Sequence, residues 1–267
     1  MLKDITLGQY FPGDSFVHKL DPRTKLLMVF LYIIALFLAN GFVGYGVMIA
    51  VTGLFIALSK VPLKAMFRGL KAVILIIVLT AVLNMFYTDG NVLVQVWKLK
   101  ITDQGLIKAL FMVLRIVMLI CGTFLLTYTT APVALTDGME LLLNPLKKLK
   151  VPVHEMSMMM SMALRFIPTL IEETDKIISA QKARGADFET GSLIDRAKAL
   201  LPILVPLFIS AFRRADELAI AMESRCYNGG AGRTRMKQLR FKGSDYLALT
   251  FGVLLIGGMI ALQVVGL

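Results

Sequence analysis

The hydrophobic pattern divides the chain into two kinds of stretch. Five runs are apolar on every side: Leu26–Ala39, Val43–Leu58, Ala72–Tyr87, Leu106–Tyr128 and Tyr246–Leu267. A helix that crosses a bilayer needs about 20 such residues, with about 17 as a lower limit. All five read as spans, the first three borrowing flanking residues or thinning the bilayer locally. The Asn40-Gly41 link is tight enough to predict a hairpin between the first two. Between the fourth and fifth runs the pattern changes to a narrow apolar stripe at helical spacing.

That stripe occurs twice. Ala163–Gly185 and Leu204–Cys226 superimpose at a shift of 41 positions. Ala163, Ile167, Leu170, Thr174, Ile177 and Gln181 fall on Leu204, Phe208, Ala211, Ala215, Leu218 and Met222. The 4-3-4-3-4 spacing keeps each series on one side of a helix. Asp175 falls on Asp216 and Arg184 on Arg225, so each arm ends in a cation. Pro152 opens the first arm and Gly185 suits its end. Pro202 and Pro206 are expected in the first turns of the second.

Two short amphipathic helices are expected beside the arms. One is Gly138–Leu149, capped by Thr136 or Asp137, with Lys147, Lys148 and Lys150 toward anionic headgroups in or near the membrane plane. The other is Leu193–Leu201, with Arg196 and Lys198. Met156, Met158, Met159, Met160 and Met162 cover more than one face of the first arm. They fit either a helix buried all round or a pliable contact surface.

Composition makes the chain a membrane protein: 57% of its 267 residues are hydrophobic and the mean hydropathy is +0.74. The placement of charge then predicts orientation. Lys19, Arg23 and Lys25 precede the first run, and Lys60, Lys64, Arg68 and Lys71 separate the second from the third. Ala131–Gly243 carries seventeen Lys/Arg against twelve Asp/Glu, whereas the opposite side has only Lys98 and Lys100, balanced by Asp89 and Asp103. The N-terminus and Ala131–Gly243 are therefore expected inside and the C-terminus outside, with Trp97 an interfacial anchor. The N-terminal stretch lacks a signal-peptide pattern, so no cleavage is expected.

Individual polar residues carry open readings. Leu20–Lys25, LDPRTK, fits a positive-inside anchor or a contact with another subunit. Asn84 and Arg115 lie at membrane depth, where polar groups face a partner, a bundle interior or an interface. His154 is expected at the surface or as a cap. Cys121 and Cys226 read as packing residues, not as a disulfide or metal pair. Arg233–Lys242 is a basic lead-in to the last span, expected to meet headgroups.

No catalytic set emerges. There is no phosphate loop of the form G-x-x-x-x-G-K-[ST], no HExxH and no paired carboxylates within a span. The chain is not expected to be an enzyme. The two arginines are what remain: a guanidinium at an exposed helix tip can pair bidentately with a carboxylate in a partner's groove.

At these residues the chain resembles the transmembrane T component of energy-coupling factor transporters, ATP-driven importers of vitamins and trace metals in prokaryotes. That family carries two Ala-Arg-Gly-type motifs at the ends of two long coupling helices. Ala183-Arg184-Gly185 matches in full; Ser224-Arg225-Cys226 keeps the arginine and replaces both neighbours. The resemblance implies an all-α membrane protein of about five transmembrane helices plus a cytoplasmic module. Residues 1–130 would hold the N-terminal tail and four spans, 131–243 the coupling module, and 244–267 the last span.

By the same resemblance, Ala183, Arg184, Gly185, Ser224, Arg225 and Cys226 engage two cytoplasmic ABC ATPases. Met156, Met159, Met160, Ala163, Ile167, Leu170, Leu204, Phe208 and Ala211 cradle a separate substrate-binding membrane subunit. The chain itself would hold no metal and no cofactor, ATP and Mg being bound by the ATPases. It would contact the bilayer but no nucleic acid. The rivals are a permease that forms its own substrate path and a secondary transporter.

Overall fold

A computed structural model describes residues 10–88, 91–96, 99–186, 188, 192–230 and 238–265. Trp97, Lys98, Asp89, most of the 187–191 connector, the Arg233, Arg235 and Lys237 part of the basic lead-in, and the first nine residues lie outside this description. So does the side chain of Arg196.

The five apolar runs are all helices. After a short turn, α1 (Phe16–Lys19), come α2 (Pro22–Leu38), α3 (Gly41–Ser59), α4 (Leu63–Tyr87), α5 (Asp103–Thr129), α6 (Pro132–Leu143), α7 (Val153–Ala183), α8 (Leu193–Glu223) and α9 (Gly243–Val265). Four of these, α3, α4, α5 and α9, are long and apolar enough to cross a membrane. At 17 residues, α2 sits at the short limit for a span. Gly41, the first residue of α3 after the two-residue link Ala39-Asn40, takes φ +66, a conformation that glycine adopts without strain.

One element is absent from the sequence reading. Val92–Val96 (β1) and Leu99–Thr102 (β2) pair antiparallel between α4 and α5, with Val96 opposite Leu99. Thr102 then caps α5 by accepting from Gly105 N–H at 3.0 Å.

The chain divides into two compact units. One comprises Gly8–Gly138 with Leu239–Leu267, and the other includes Met139–Gln238. In the first, α2, α3, α5 and α9 share a core of Tyr32, Ala35, Leu36, Tyr45, Met48, Met118 and Met259. The Tyr32 hydroxyl lies 2.7 Å from Thr52 Oγ1 and 3.1 Å from the Met118 carbonyl oxygen, tying three helices at membrane depth. Gly252 brings α9 against α2: a Cβ there would lie 2.8 Å from Leu31 and 2.9 Å from Met28.

The LDPRTK segment turns inward onto its own fold. Arg23 donates to Asp21 through Nε and Nη2, at 3.0 and 2.9 Å, and stacks 4.0 Å over the Phe241 ring. Lys25 Nζ is buried and donates to the carbonyls of His18 and Thr129. Asp245, 1% exposed, accepts from Asp21 N–H at 2.9 Å and Lys242 N–H at 2.7 Å. These residues form a clasp between the starts of α2 and α9. Burial works against the charged form of Asp21, but hydrogen bonds from the Arg23 side chain and N–H hold its carboxyl below the ordinary value.

Arg115 is an interhelix contact. It donates to the Ala39 carbonyl at 3.3 Å and lies near the Phe37 and Tyr45 rings, so it serves the α2–α3 link. Asn84 donates to Thr80 on its own helix.

Two helix boundaries differ from expectation. The helix placed at Gly138–Leu149 begins at Pro132, where proline suits a first turn, and Thr136 donates back to the Pro132 carbonyl instead of capping. Asn144-Pro145 then converts the chain to a 3₁₀ turn, Asn144–Leu149. Also, Leu193–Leu201 is not a separate helix; it runs unbroken through Pro202 and Pro206. Ser192 and Asp195 form a reciprocal capping box that fixes the start there.

Candidate functional site

Both arms are 31-residue helices, each about 46 Å long at 1.5 Å per residue. They pack against each other in opposite directions. Gln181 on α7 reaches Pro202 near the start of α8, Glu173 meets Arg214, and Met159 shares a groove with Met222. As the numbering rises on one arm it falls on the other. The Gln181 contact has a local cause. Pro206 has no N–H to bond the Pro202 carbonyl, and Gln181 Nε2 approaches that oxygen at 3.5 Å, at the long limit of hydrogen bonding.

The two ends match bond for bond. On α7, Ala186 N–H donates to the Gln181 carbonyl and Gly185 N–H to Lys182, with Gly185 at φ +86. On α8, Tyr227 N–H donates to Met222 and Cys226 N–H to Glu223, with Cys226 at φ +54. Each is a Schellman ending, and each arginine is the last residue before the left-handed one. Cys226 therefore takes the backbone role of Gly185. Ser224 stands where Ala183 stands, its hydroxyl turned back to the Ile220 carbonyl. The Ser-Arg-Cys variant thus keeps the geometry of Ala-Arg-Gly at the cost of one non-glycine residue in the left-handed region.

Arg184 and Arg225 are both exposed, and neither forms an ion pair among the described residues. Because the arms are antiparallel, the arginines stand at opposite ends of the pair. Each lies about three helical turns, roughly 16 Å, beyond the Glu173–Arg214 contact. What the arrangement offers is two similar cationic ends, facing apart, on one antiparallel pair.

Of the apolar positions expected to hold a partner, Met156, Met159, Met160, Ala163, Leu204, Phe208 and Ala211 are exposed, while Ile167 and Leu170 are half-buried. Met159, Leu170 and Ala211 line a groove of about 340 Å³ between the arms, with Met162, Phe166, Ala215, Leu218 and Met222. So the matched stripe serves partly to join the arms. The exposed apolar surface of α8 is also broader than the stripe: Leu201, Val205, Ile209 and Phe212 add to it, with Phe212 69% exposed. Leu201 precedes the stripe and the other three fall between its positions, so they widen the apolar face beyond a single line.

His154 is paired, not a free surface or capping group. Its Nδ1 lies 3.0 Å from Glu140, and Gly230 packs on its ring, where a Cβ would lie 2.5 Å away. The sequence reading also missed the Glu173–Arg214 ion pair, 3.2 Å apart. Its signal was available: at the shift of 41, a carboxylate falls on a guanidinium.

Comparison with known proteins follows the same lines. A family described as CbiQ, cobalt transport protein, matches residues 13–237. A protein of Clostridium kluyveri called energy-coupling factor transporter transmembrane protein EcfT is 57% identical over 258 residues, covering 96% of each chain. Proteins of the same name are similar in Thermosediminibacter oceani, at 54% over 97% of this chain and 98% of that one, and in Bacillus subtilis, at 51% over 92% and 93%.

Proposed function

Because the chain belongs to the CbiQ family, among the transmembrane T components of energy-coupling factor transporters, we propose that it is the coupling subunit of an ATP-driven micronutrient importer. It is a multi-pass membrane protein of the bacterial plasma membrane. In this reading Arg184 and Arg225 each engage one of two cytoplasmic ABC ATPases, which bind ATP and Mg. The exposed apolar surface of α7 and α8 cradles a substrate-binding membrane subunit that carries a vitamin or trace metal. The N-terminus and the arms are cytoplasmic and the C-terminus is outside.

The observation that carries the reading is the pair of matched, exposed arginine endings at opposite ends of one antiparallel pair. Two similar grips need two similar handles, held apart. A guanidinium at such an end offers a partner carboxylate a bidentate contact that resists loss of register. ATP-driven movement of the ATPases then changes the crossing of the arms and tilts or releases the subunit resting on them.

The rival permease needs a polar path of its own. The cavity among α2, α3, α5 and α9, about 80 Å³, presents an almost wholly apolar surface from side chains such as Met28, Phe55 and Leu125, the polar atoms of Lys25, Tyr32 and Thr52 being engaged in hydrogen bonds. That lining favours the scaffold. The test is charge reversal: Arg184→Glu and Arg225→Glu should each abolish co-purification of an ATPase or stop uptake, while the chain stays in the membrane. Unchanged uptake in both single variants, or solute movement by the purified chain alone in vesicles, would overturn it.

A further inference from the structure

The shift of 41 that superimposes the arms also relates their contacts. It carries Glu173 to Arg214, Leu170 to Ala211 and Lys182 to Glu223. Two similar helices packed antiparallel are related by a two-fold rotation, and only at its axis does a position meet its own counterpart. Glu173 and Arg214 meet in this way, at 3.2 Å. Leu170 and Ala211, also counterparts, share the groove one turn away.

The contact is one fixed polar point within a soft surround. The Ser210 side chain and Arg214 together hold the Glu173 carboxyl below its ordinary value, and the Arg214 guanidinium lies 5.7 Å over the Phe166 ring. Beside it, the groove is lined by the small Ala215 and Ala219 and by the flexible Met159, Met162 and Met222. Methionines repack at little cost when a crossing angle changes. A directional ion pair with pliable flanks keeps register while permitting rotation, which is the geometry of a hinge.

We infer that the Glu173–Arg214 pair is the pivot of the arms, a positioning pair that fixes the point about which they turn and so sets where Arg184 stands relative to Arg225. This role rests on the coupling reading given above. With each tip roughly 16 Å from the pivot, a rotation of 10° moves it by about 3 Å, and both tips move equally.

The test separates the pivot from the coupling. Spin labels are placed at the exposed counterparts Lys182→Cys and Glu223→Cys, with Cys121→Ala and Cys226→Gly, in the full chain reconstituted in nanodiscs. Electron-spin distance measurements should give one narrow distribution. Glu173→Gln and Arg214→Gln should each broaden it, and the exchange Glu173→Arg with Arg214→Glu should narrow it again. In the assembled transporter each single variant should lower uptake roughly tenfold, the size of a coupling loss spread through one network. The ATPases should still co-purify, and the exchange should recover uptake. An unchanged distribution in both single variants overturns the pivot, and so does a broadened one with uptake intact. If Arg184→Glu and Arg225→Glu both leave uptake unchanged, the coupling reading fails and takes the positioning role with it, whatever the distances show.

Discussion

Two basic clusters in this chain look alike in sequence and end in opposite situations. At the start of α2, Arg23 and Lys25 follow a proline turn; at the ends of α7 and α8, Arg184 and Arg225 precede a left-handed turn. In the first pair Arg23 is half-buried against Asp21, and Lys25 is buried against backbone carbonyls. The second stands exposed without an ion pair among the described residues. A cation beside a turn therefore says little by itself. What separates the two is whether the surrounding fold supplies acceptors: Arg23 is held by Asp21, and Lys25 reaches the Thr129 carbonyl, 104 residues away.

The contrast can be broken most severely at Asp245. Asp245→Ala removes the acceptor of two backbone N–H groups in a buried corner and should destabilise the span unit by about 3–5 kcal/mol. A thermal-unfolding series in detergent reads this directly; a change below about 1 kcal/mol would mean that water reaches the clasp. A smaller effect should come from acid. The Asp21 carboxyl is held below its ordinary value of 3.8 in the folded chain. Its contribution is complete at neutral pH and drains away as the pH falls through 3.8 toward the lower folded value. Asp21→Asn should flatten that part of the stability–pH curve.

The tips should respond weakly in stability. Cys226→Gly relieves a left-handed non-glycine residue and should stabilise the chain by about 0.5–1 kcal/mol with uptake kept. Loss of uptake in that variant would assign the thiol a role beyond backbone shape. Smallest of all, Arg184→Glu and Arg225→Glu should shift unfolding by no more than about 0.5 kcal/mol, because their side chains are exposed. A large loss there would erase the contrast by making the tips part of the folded core.

How much was legible follows from the same physics. The spans could be read because an unbroken apolar run has few alternatives in a bilayer. The arms could be read because a stripe at helical spacing repeats itself at 41 positions. Pro202 misled because proline removes one hydrogen bond, and a capped helix packed on a neighbour absorbs that loss. The inward contacts of Arg23 and Lys25 were not legible because the Phe241 ring lies at the far end of the chain and carbonyls have no sequence signature. The Val92–Thr102 ribbon was passed over because a short alternating segment is a weak signal beside two strong spans. The backbone role of Cys226 is not legible because cysteine seldom replaces glycine in the left-handed region; only the matching hydrogen bonds reveal that it does so here.

The Glu173–Arg214 contact also limits how far the two arms can be made alike. An engineer who averaged both halves into one repeated sequence would have to choose a single residue for that position. Glutamate would set carboxylate against carboxylate, and arginine guanidinium against guanidinium. Apolar positions tolerate duplication, but this one requires the copies to have diverged, so a symmetrised design must leave it asymmetric or make it neutral.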